Sequence, residues 1–474
     1  MKFSDELFFA PATKLVEMLR SRRISSAEMV SAFLERIEVE NHKLNAVVTI
    51  VEERAAEEAD EADRRLAGRE DIRPLEGLPI SIKDSIATKD VRSTDGLKIL
   101  EHYIPPEDAP AVARLRAAGA IVICKTNIPE MAMDYDCCNP VFGATNNPWD
   151  RSRVPGGSSG GEAAALASGF AAMGLGSDYG GSIRIPSHFC GVVGLKPSWG
   201  TIPGSGHLPP SPAAPPPIAH MATIGPMARY VDDLTLSYNI IKGPHPSTPY
   251  TVPTPEAHPE KVKVKKVACA FFTGIEGLAP VAAEIRLAVE RAAKALEKIG
   301  VRVEHKIPPI ADAAKIWWEY AMADGNELTR QMFAGKEYLM RERVRNMLLS
   351  PLPSKSAAEY FVISMQRDIF RVQLQQFMEE YPIVLGPPFC VTAFPHDALE
   401  VDVDGQRHSL YAANWPALWG NCAGLPGIVV PAGHDKHGLP IGVQVMGRAF
   451  GEETVLAFAK ALEQELGGFK KPKI

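Results

Sequence analysis

The sequence has few cysteines and no hydrophobic run long enough for a membrane span. Seven cysteines are scattered along 474 residues and form neither a disulfide framework nor a zinc-ligand spacing. This pattern is typical of reduced thiols in the cytoplasm. The most apolar stretch, Ala163 to Gly176, is shorter than a bilayer crossing, and the first residues lack the features of a secretory signal. We therefore expect a cytoplasmic protein without a membrane span.

The sequence also has only a small excess of charge of one sign. The 51 Lys and Arg residues nearly balance the 57 Asp and Glu residues, which leaves a net charge of -6. Basic residues are dispersed apart from the short run 261–266, so nucleic acid is not an expected partner. With 46% hydrophobic and 23% charged residues, the chain is expected to be globular and to bury one large core or two smaller ones.

Apolar runs of strand length alternate with helical patterns from residue 78 onward. The predicted strands are 78–82, 121–124, 171–176, 267–272 and 301–305, and the predicted helices are 110–118, 161–168, 282–296 and 452–466. Strands that alternate with helices predict an α/β fold with a largely parallel sheet.

The remaining segments are predicted to be helices and loops. Ser25 and Glu28 form a capping box at the start of a helix that reaches about Glu40, and a second helix covers 51–67. Two proline-rich tracts, 209–217 and 244–259, predict surface loops, and 311–380 is mainly helical. We expect a single domain over 1–474. Its parts are a helical segment 1–70, a core 71–240, a proline-rich loop 241–262 and a second part of the sheet, 263–474.

Two serines flanked by glycines are the main chemical feature. Ser158 lies in Pro155-Gly-Gly-Ser-Ser-Gly-Gly161, and Ser182 follows Gly180 and Gly181. A serine hydroxyl needs an adjacent base to act as a nucleophile. The letters around Ser158 fit Gly-x-Ser-x-Gly, but the apolar strand that precedes a nucleophile elbow is missing. A distant histidine remains a candidate base.

Lys83 is the other candidate base. It ends the apolar strand 78–82, where a strand tip can carry a side chain into a cleft, and burial can leave a lysine neutral near pH 7. Gly180 and Gly181 would let consecutive N–H groups turn inward to form an oxyanion hole. Taken alone, the glycine-rich loop around Ser158 also fits a phosphate nest or a flexible loop, although it lacks the Lys-Ser/Thr pair of a P-loop.

Together these motifs resemble the amidase signature family, in the family's order and over nearly the whole chain. The motifs that carry the resemblance are Gly77-Leu-Pro-Ile-Ser-Ile-Lys83-Asp84, Lys125-Thr-Asn-Ile-Pro-Glu130, the span 136–197, Gly225-Pro-Met-Ala-Arg229 and Asn421-Cys-Ala-Gly-Leu-Pro426. The segment 135–149 looks like the fatty acid amide hydrolase branch. The resemblance implies a large mixed, mostly parallel central sheet covered by helices on both faces, and a serine amidohydrolase that needs no metal or organic cofactor.

The resemblance also implies the roles of individual residues. Ser182 would be the nucleophile, Ser158 a bridging serine that follows a cis peptide bond, and Lys83 the base. The backbone N–H groups of Tyr179, Gly180, Gly181 and Ser182 would hold the oxyanion. The family usually has a smaller or aliphatic residue at position 179, so the tyrosine is expected to change the pocket wall.

Asp178 and Arg184 flank the nucleophile loop. An arginine fork suits a fixed carboxylate, so we interpret the two as a structural ion pair rather than as direct participants in the chemistry.

Apolar side chains that follow the motifs predict the substrate pocket. The candidate pocket residues are Met131, Ala132, Met133, Trp317, Trp318 and Trp415. Such residues could form an adaptable acyl or aryl site, and they could equally be ordinary core. The preferred substrate is a hydrophobic small-molecule amide, an anilide or a carbamate, and a homodimer is expected.

Three other functions remain open. The nearest is a carbamate or ester hydrolase, since the same acyl-transfer groups accept any carbonyl with a competent leaving group. A glutamine-hydrolysing amidotransferase subunit typically has Gln where this chain has Ile185, and it would need partner chains. A catalytically silent binding protein is disfavoured because Lys83, Ser158 and Ser182 are all present.

Overall fold

A computed structural model of the chain describes residues 5–68, 71–207, 209–210 and 214–473. The helices of the described residues are α1 Asp5–Phe9, α2 Ala12–Arg20, α3 Ser26–Glu40, α4 Glu52–Gly68, α5 Pro110–Ala117, α6 Gly160–Ala167, α7 Arg184–Cys190, α8 Pro216–Met221, α9 Val231–Ile241, α10 Ala283–Lys298, α11 Ala313–Ala321, α12 Glu327–Phe333, α13 Glu342–Leu348, α14 Ala357–Glu380, α15 Leu410–Ala413, α16 Trp415–Ala423 and α17 Glu452–Leu466. The strands are β1 Val47–Ile50, β2 Pro79–Lys83, β3 Ile121–Thr126, β4 Cys138–Asn139, β5 Gly143–Ala144, β6 Met173–Asp178, β7 Val193–Lys196, β8 Thr223–Ala228, β9 Cys269–Phe271, β10 Val303–His305, β11 Ile383–Gly386, β12 Glu400–Val403, β13 Gln406–Ser409, β14 Gly427–His434 and β15 Pro440–Gly447.

Eleven strands form one central sheet. Their order is β1-β3-β2-β6-β8-β7-β14-β15-β11-β9-β10. Parallel pairs occur in two blocks, β3-β2-β6 and β11-β9-β10, and the six other pairs are antiparallel. The predicted α/β class with a large mixed sheet is confirmed, but its parallel share is smaller than expected. Two features account for the difference: β8 inserts between β6 and β7, and a short turn joins β14 to β15 as a hairpin.

Helices pack against the sheet in two groups. α6 and α7 contact each other, and α7 packs on β14 and β15. α10 and α17 also contact each other and pack on the same two strands. Most buried apolar side chains join one continuous core, and a second, smaller cluster lies under α12 and α13.

The predicted element boundaries agree closely with the structure in most places. The capping box is present, since Ser25 Oγ accepts from the Glu28 N–H and the Glu28 carboxylate accepts from the Ser25 N–H. The helical interpretation of residues 1–70 was incomplete, because β1 pairs antiparallel with β3 in this segment. Its four residues are too few, and too exposed on one side, to give a clear strand pattern.

Two further segments behave largely as expected. Residues 311–380 contain α11 to α14, as predicted, and 244–258 contain no helix or strand. The first proline-rich tract differs, because α8 begins inside it at Pro216, where proline is tolerated in the first turn; residues 211–213 of that tract lie outside the described residues. None of the helices described has both the length and the apolar character of a membrane crossing.

Candidate active site

The sheet brings the candidate residues to one edge. β2 and β6 are parallel neighbours, with Ile82 opposite Leu175. Lys83 is the last residue of β2 and Asp178 is the last residue of β6. Because parallel strands end at the same edge of a sheet, the lysine lies beside the loop that carries Ser182.

Lys83 is fully buried and has two hydroxyl partners. Its Nζ lies 2.6 Å from Ser158 Oγ and 2.9 Å from Ser177 Oγ. Burial lowers the pKa of Lys83 from 10.5 to about 7, although nearby carboxylates, Asp95 foremost, oppose the shift. A substantial fraction of this lysine is therefore neutral near pH 7 and has a lone pair that can accept a proton.

The two serine loops lie side by side. The Gly157–Ser158 peptide bond is cis, and a Cβ at Gly157 would lie 2.0 Å from the carbonyl oxygen of Asp134. The N–H of Ser159 donates to the carbonyl oxygen of Ser182 at 3.1 Å. Ser182 is partly exposed, and its hydroxyl bonds to none of the described residues. A substrate could therefore reach this hydroxyl.

Asp178 organises the loop that precedes α7. Its carboxylate forms a buried ion pair with Arg184, with Nη2 3.0 Å from Oδ1. The same carboxylate accepts from the N–H groups of Gly181 at 2.9 Å and Ile183 at 3.1 Å. Burial alone would raise the pKa of Asp178, but the Arg184 charge and its hydrogen bonds hold that pKa below its ordinary value. The ion pair therefore fixes the backbone around Ser182.

The backbone donors expected for an oxyanion hole need one correction. The N–H of Gly181 already donates to Asp178, so it is not available to a substrate oxygen. The N–H groups of Tyr179, Gly180 and Ser182 donate to no described residue. Gly181 has a φ of 103°, a backbone conformation that favours glycine. The Asp178 carboxylate accepts from one of the four expected donors, the Gly181 N–H. The spacing of the motif alone does not reveal this contact.

Aromatic rings surround the loop at Tyr179. Trp317 packs on the Tyr179 ring at 4.8 Å between centroids, and its indole N–H donates to the Tyr179 carbonyl at 3.0 Å. Trp318 contacts Trp317 and Tyr411, and Tyr411 in turn contacts Tyr135. The helical segment 311–380 thus supplies α11 as one wall beside the loop.

The other candidate pocket residues divide into two groups. Met131 and Met133 are partly buried against the small cluster under α12 and α13, and Ala132 lies between them with a positive φ. Trp415 is 3% exposed and belongs to the main core, where its indole N–H donates to the carbonyl of Ala279 at 2.8 Å. Trp415 is therefore a core residue, as the alternative interpretation had allowed.

Several polar residues next to this edge were not predicted from the sequence. Ser177 bonds to Lys83, and buried Asn414 donates to the Gly180 carbonyl at 2.9 Å. Glu162 accepts from Ser81 and Thr126, while burial raises its pKa to about 7. Ser177 could have been found from its position next to Asp178. The others come from elements distant in sequence, so they have no local pattern.

No group of three or more His, Cys, Asp or Glu side chains in the described ranges is arranged to hold a metal ion. The groups at this edge are an amine that can be neutral near pH 7, serine hydroxyls and backbone N–H donors. Such a set can transfer protons and stabilise a developing oxyanion.

Known proteins resemble the chain over its whole length. The Amidase family model matches residues 28–456. The A subunit of the glutamyl-tRNA(Gln) amidotransferase of Carboxydothermus hydrogenoformans is 33% identical, and the alignment covers 99% of this chain and 100% of that protein.

Solved structures share the fold. One, described as a vestigial protein complex that reveals the evolutionary origins of an s-triazine catabolic enzyme, is 27% identical with a TM-score of 0.89 and covers 98% of this chain and 100% of its own. A fatty acid amide hydrolase structure has a TM-score of 0.84 at 24% identity, and the match covers 98% of this chain and 87% of that chain. At this level of identity, the similarity supports the fold alone. The resemblance to that branch stays a prediction. The family match and the full-length relatives show that the chain belongs to the amidase signature family, whose enzymes act on C–N bonds.

Proposed function

We propose that the protein is a serine hydrolase that cleaves the C–N bond of hydrophobic acyl or aryl carboxylic amides through an acyl-enzyme on Ser182. The observation that carries this proposal is the 2.6 Å contact between the buried Lys83 amine and the Ser158 hydroxyl, beside the Ser182 loop. Because the pKa of Lys83 is about 7, the amine can accept a proton at the pH of a cell.

In the proposed reaction, protons move along three side chains. Neutral Lys83 accepts the proton of Ser158 while Ser158 accepts that of Ser182, whose oxygen attacks the amide carbonyl carbon. The N–H groups of Tyr179, Gly180 and Ser182 are the donors proposed for the carbonyl oxygen as it gains charge. Return of the proton through Ser158 to the amide nitrogen allows the amine to leave, since an amide anion is a poor leaving group. Water then hydrolyses the acyl-enzyme by the same relay.

The rings near the loop support a hydrophobic substrate. Tyr179 and Trp318 are partly exposed and both pack on the buried ring of Trp317, so the two outer rings offer an apolar wall that suits an acyl chain or an aryl ring. Met131 and Met133 are flexible apolar side chains on the neighbouring segment. A small polar amide such as that of glutamine would leave this wall without a partner.

Two other reactions stay as candidates. A carbamate or ester would use the same relay, because only the leaving group differs. The similarity to the glutamyl-tRNA(Gln) amidotransferase chain favours glutamine as substrate. Against glutamine, position 185 is a buried Ile that packs under Gly181.

A substrate panel tests the proposal. Purified wild type and Ser182→Ala are given acyl 4-nitroanilides, aryl carbamates, nitrophenyl esters and glutamine between about pH 7 and 9, where at least about half of the base is neutral. We expect wild type to release nitroaniline from hydrophobic anilides and Ser182→Ala to release none. Ammonia from glutamine alone would favour the amidotransferase function, and equal cleavage by both proteins would refute the role of Ser182.

We propose that a second copy of this chain covers an exposed face of α14. Phe361, Val362, Met365, Ile369 and Val372 are each 52–67% exposed on this helix and carry no charge. Apart from the exposed Asp368, which lies on the same side of the helix, this face is apolar and can pack on the same face of a second copy. A 24-residue helix, about 36 Å long, is long enough for a twofold contact.

The oligomeric state tests this contact by analytical ultracentrifugation. Wild type should sediment as a dimer and Met365→Glu as a monomer. Leu287→Glu is the matched control, since Leu287 on α10 is 57% exposed, similar to Met365 at 64%, but lies outside the α14 face. A monomeric wild type, or a dimer that survives Met365→Glu, contradicts the proposal.

We also propose that the protein works in a reducing compartment, the cytoplasm. All seven cysteines are free, and burial raises the pKa of Cys137 to about 12, which makes that thiol unreactive. Cell fractionation followed by thiol labelling of the denatured chain should find seven free thiols in the cytosolic fraction. An oxidised chain in a secreted fraction would contradict this assignment.

A further inference from the structure

Ser177 links the proposed base to a histidine. Its hydroxyl oxygen lies 2.9 Å from Lys83 Nζ and 2.9 Å from His207 Nε2. The Ser85 hydroxyl lies 3.2 Å from the same ring nitrogen. His207 is thus connected to the amine of Lys83 by two hydrogen bonds through Ser177, although it is not one of the three residues Lys83, Ser158 and Ser182.

The backbone holds His207 in this place. His207 forms an antiparallel bridge with Ile86, and the Ala87 N–H donates to the Gly206 carbonyl at 2.8 Å. The segment that carries the histidine is therefore attached to the residues that directly follow Lys83. The imidazole ring of His207 therefore lies at the same edge of the sheet as Lys83.

For a neutral imidazole with its proton on Nδ1, the number of protons in this group gives each hydrogen bond one direction. A neutral amine has one lone pair and two N–H donors. If the lone pair accepts from Ser158, an N–H of Lys83 must donate to Ser177. The Ser177 hydroxyl must then donate its own proton elsewhere, and His207 Nε2 is its other described partner. A neutral imidazole with its proton on Nδ1 provides that acceptor.

We propose that His207 is a positioning residue that accepts the Ser177 proton and thereby directs the lone pair of Lys83 toward Ser158. The inference rests on the proposed hydrolase function and adds a residue to its relay. Without the histidine, the Ser177 hydroxyl can rotate and donate to Lys83, where it competes with Ser158 for the lone pair. Ser177 then blocks the base that it otherwise supports.

A double-mutant cycle tests the inference on a hydrophobic anilide, with phosphonylation of Ser182 by a fluorophosphonate probe, which releases fluoride, as a second readout. His207→Ala should lower kcat and the labelling rate roughly tenfold to a hundredfold with KM nearly unchanged, because only the base is misdirected. In Ser177→Ala/His207→Ala the competing hydroxyl is gone, so the double variant should be no slower than His207→Ala. His207→Gln, whose amide oxygen can accept from Ser177, should recover part of the rate, and His207→Leu should not.

The control is His245→Ala, which removes a similar histidine–serine contact, 2.6 Å to Ser247, at an exposed position. It should match wild type. Equal rates for wild type and His207→Ala, losses that multiply in the double variant, or a rise in KM alone would each overturn the inference. The proposed function fails separately, if wild type itself neither cleaves the panel nor reacts with the probe.

Discussion

Replacement of Lys83 by methionine should abolish activity and stabilise the protein. The two side chains are similar in length and volume, but methionine needs no proton and loses no charge on burial. Folding holds Lys83 in a fully buried site where its pKa is about 7, against 10.5 in the unfolded chain. The wild-type protein therefore folds at the cost of removing a proton, and the variant avoids this cost.

The magnitude follows from the two pKa values. At pH 7 the shift destabilises the folded state by about 4 kcal/mol, and at pH 9 by about 2 kcal/mol. Between these pH values the unfolded lysine binds a proton that the folded lysine does not, so the stability of wild type rises with pH. The variant also loses the contacts with Ser158 and Ser177, about 1 kcal/mol each. We expect Lys83→Met to be more stable by about 2 kcal/mol at pH 7 and nearly equal to wild type at pH 9.

Urea unfolding at both pH values measures the difference. Lys89→Met is the control because Lys89 is exposed; it should change stability little, and equally at pH 7 and 9. A variant that is less stable than wild type at pH 7, or a difference that does not shrink by pH 9, would refute the reasoning that Lys83 is held neutral by burial.

Three further outcomes are expected. Anilide hydrolysis should rise between pH 6 and 8 with a midpoint near 7, because only the neutral form of the proposed base accepts a proton; a rate profile that is flat over this range would contradict the assignment. Asp178→Asn should cost about 3–5 kcal/mol in urea unfolding, since it leaves Arg184 buried without its partner; a loss below 1 kcal/mol would exclude this role. Gly157→Ala should yield unfolded or inactive protein by circular dichroism and activity, because the Cβ would overlap the Asp134 carbonyl; normal folding and activity would be inconsistent with that contact.

Local patterns in the sequence predicted most elements around the site. The capping box at Ser25 and Glu28, the apolar strand that ends at Lys83 and the helix of residues 452–466 depend on neighbouring residues, so the order of residues reveals them. The short strand β1 was missed because its pairing with β3 comes from a segment about 75 residues later.

The candidate site was predicted only where a motif carried it. Glycines beside Ser158 and Ser182 made both serines visible in the sequence. His207 was not visible, because a single histidine in a loop has no pattern and its contact with Ser177 depends on how the loop pairs with the strand end. Trp415 is an aromatic residue close to a motif, which made it a candidate for the pocket. Its side chain instead lies in the core, because tertiary packing of its helix decides which way the ring faces.

The proposed reaction requires a covalent acyl intermediate on Ser182. Wild type, Ser182→Ala and Ser158→Ala are mixed with a hydrophobic nitrophenyl ester, quenched in acid within milliseconds to seconds, and analysed by intact mass and peptide mapping. We expect an added acyl mass in wild type, located on Ser182, and none on Ser182→Ala. An acyl group on a cysteine or on Ser158 in wild type, or an adduct that persists in Ser182→Ala, would contradict this expectation.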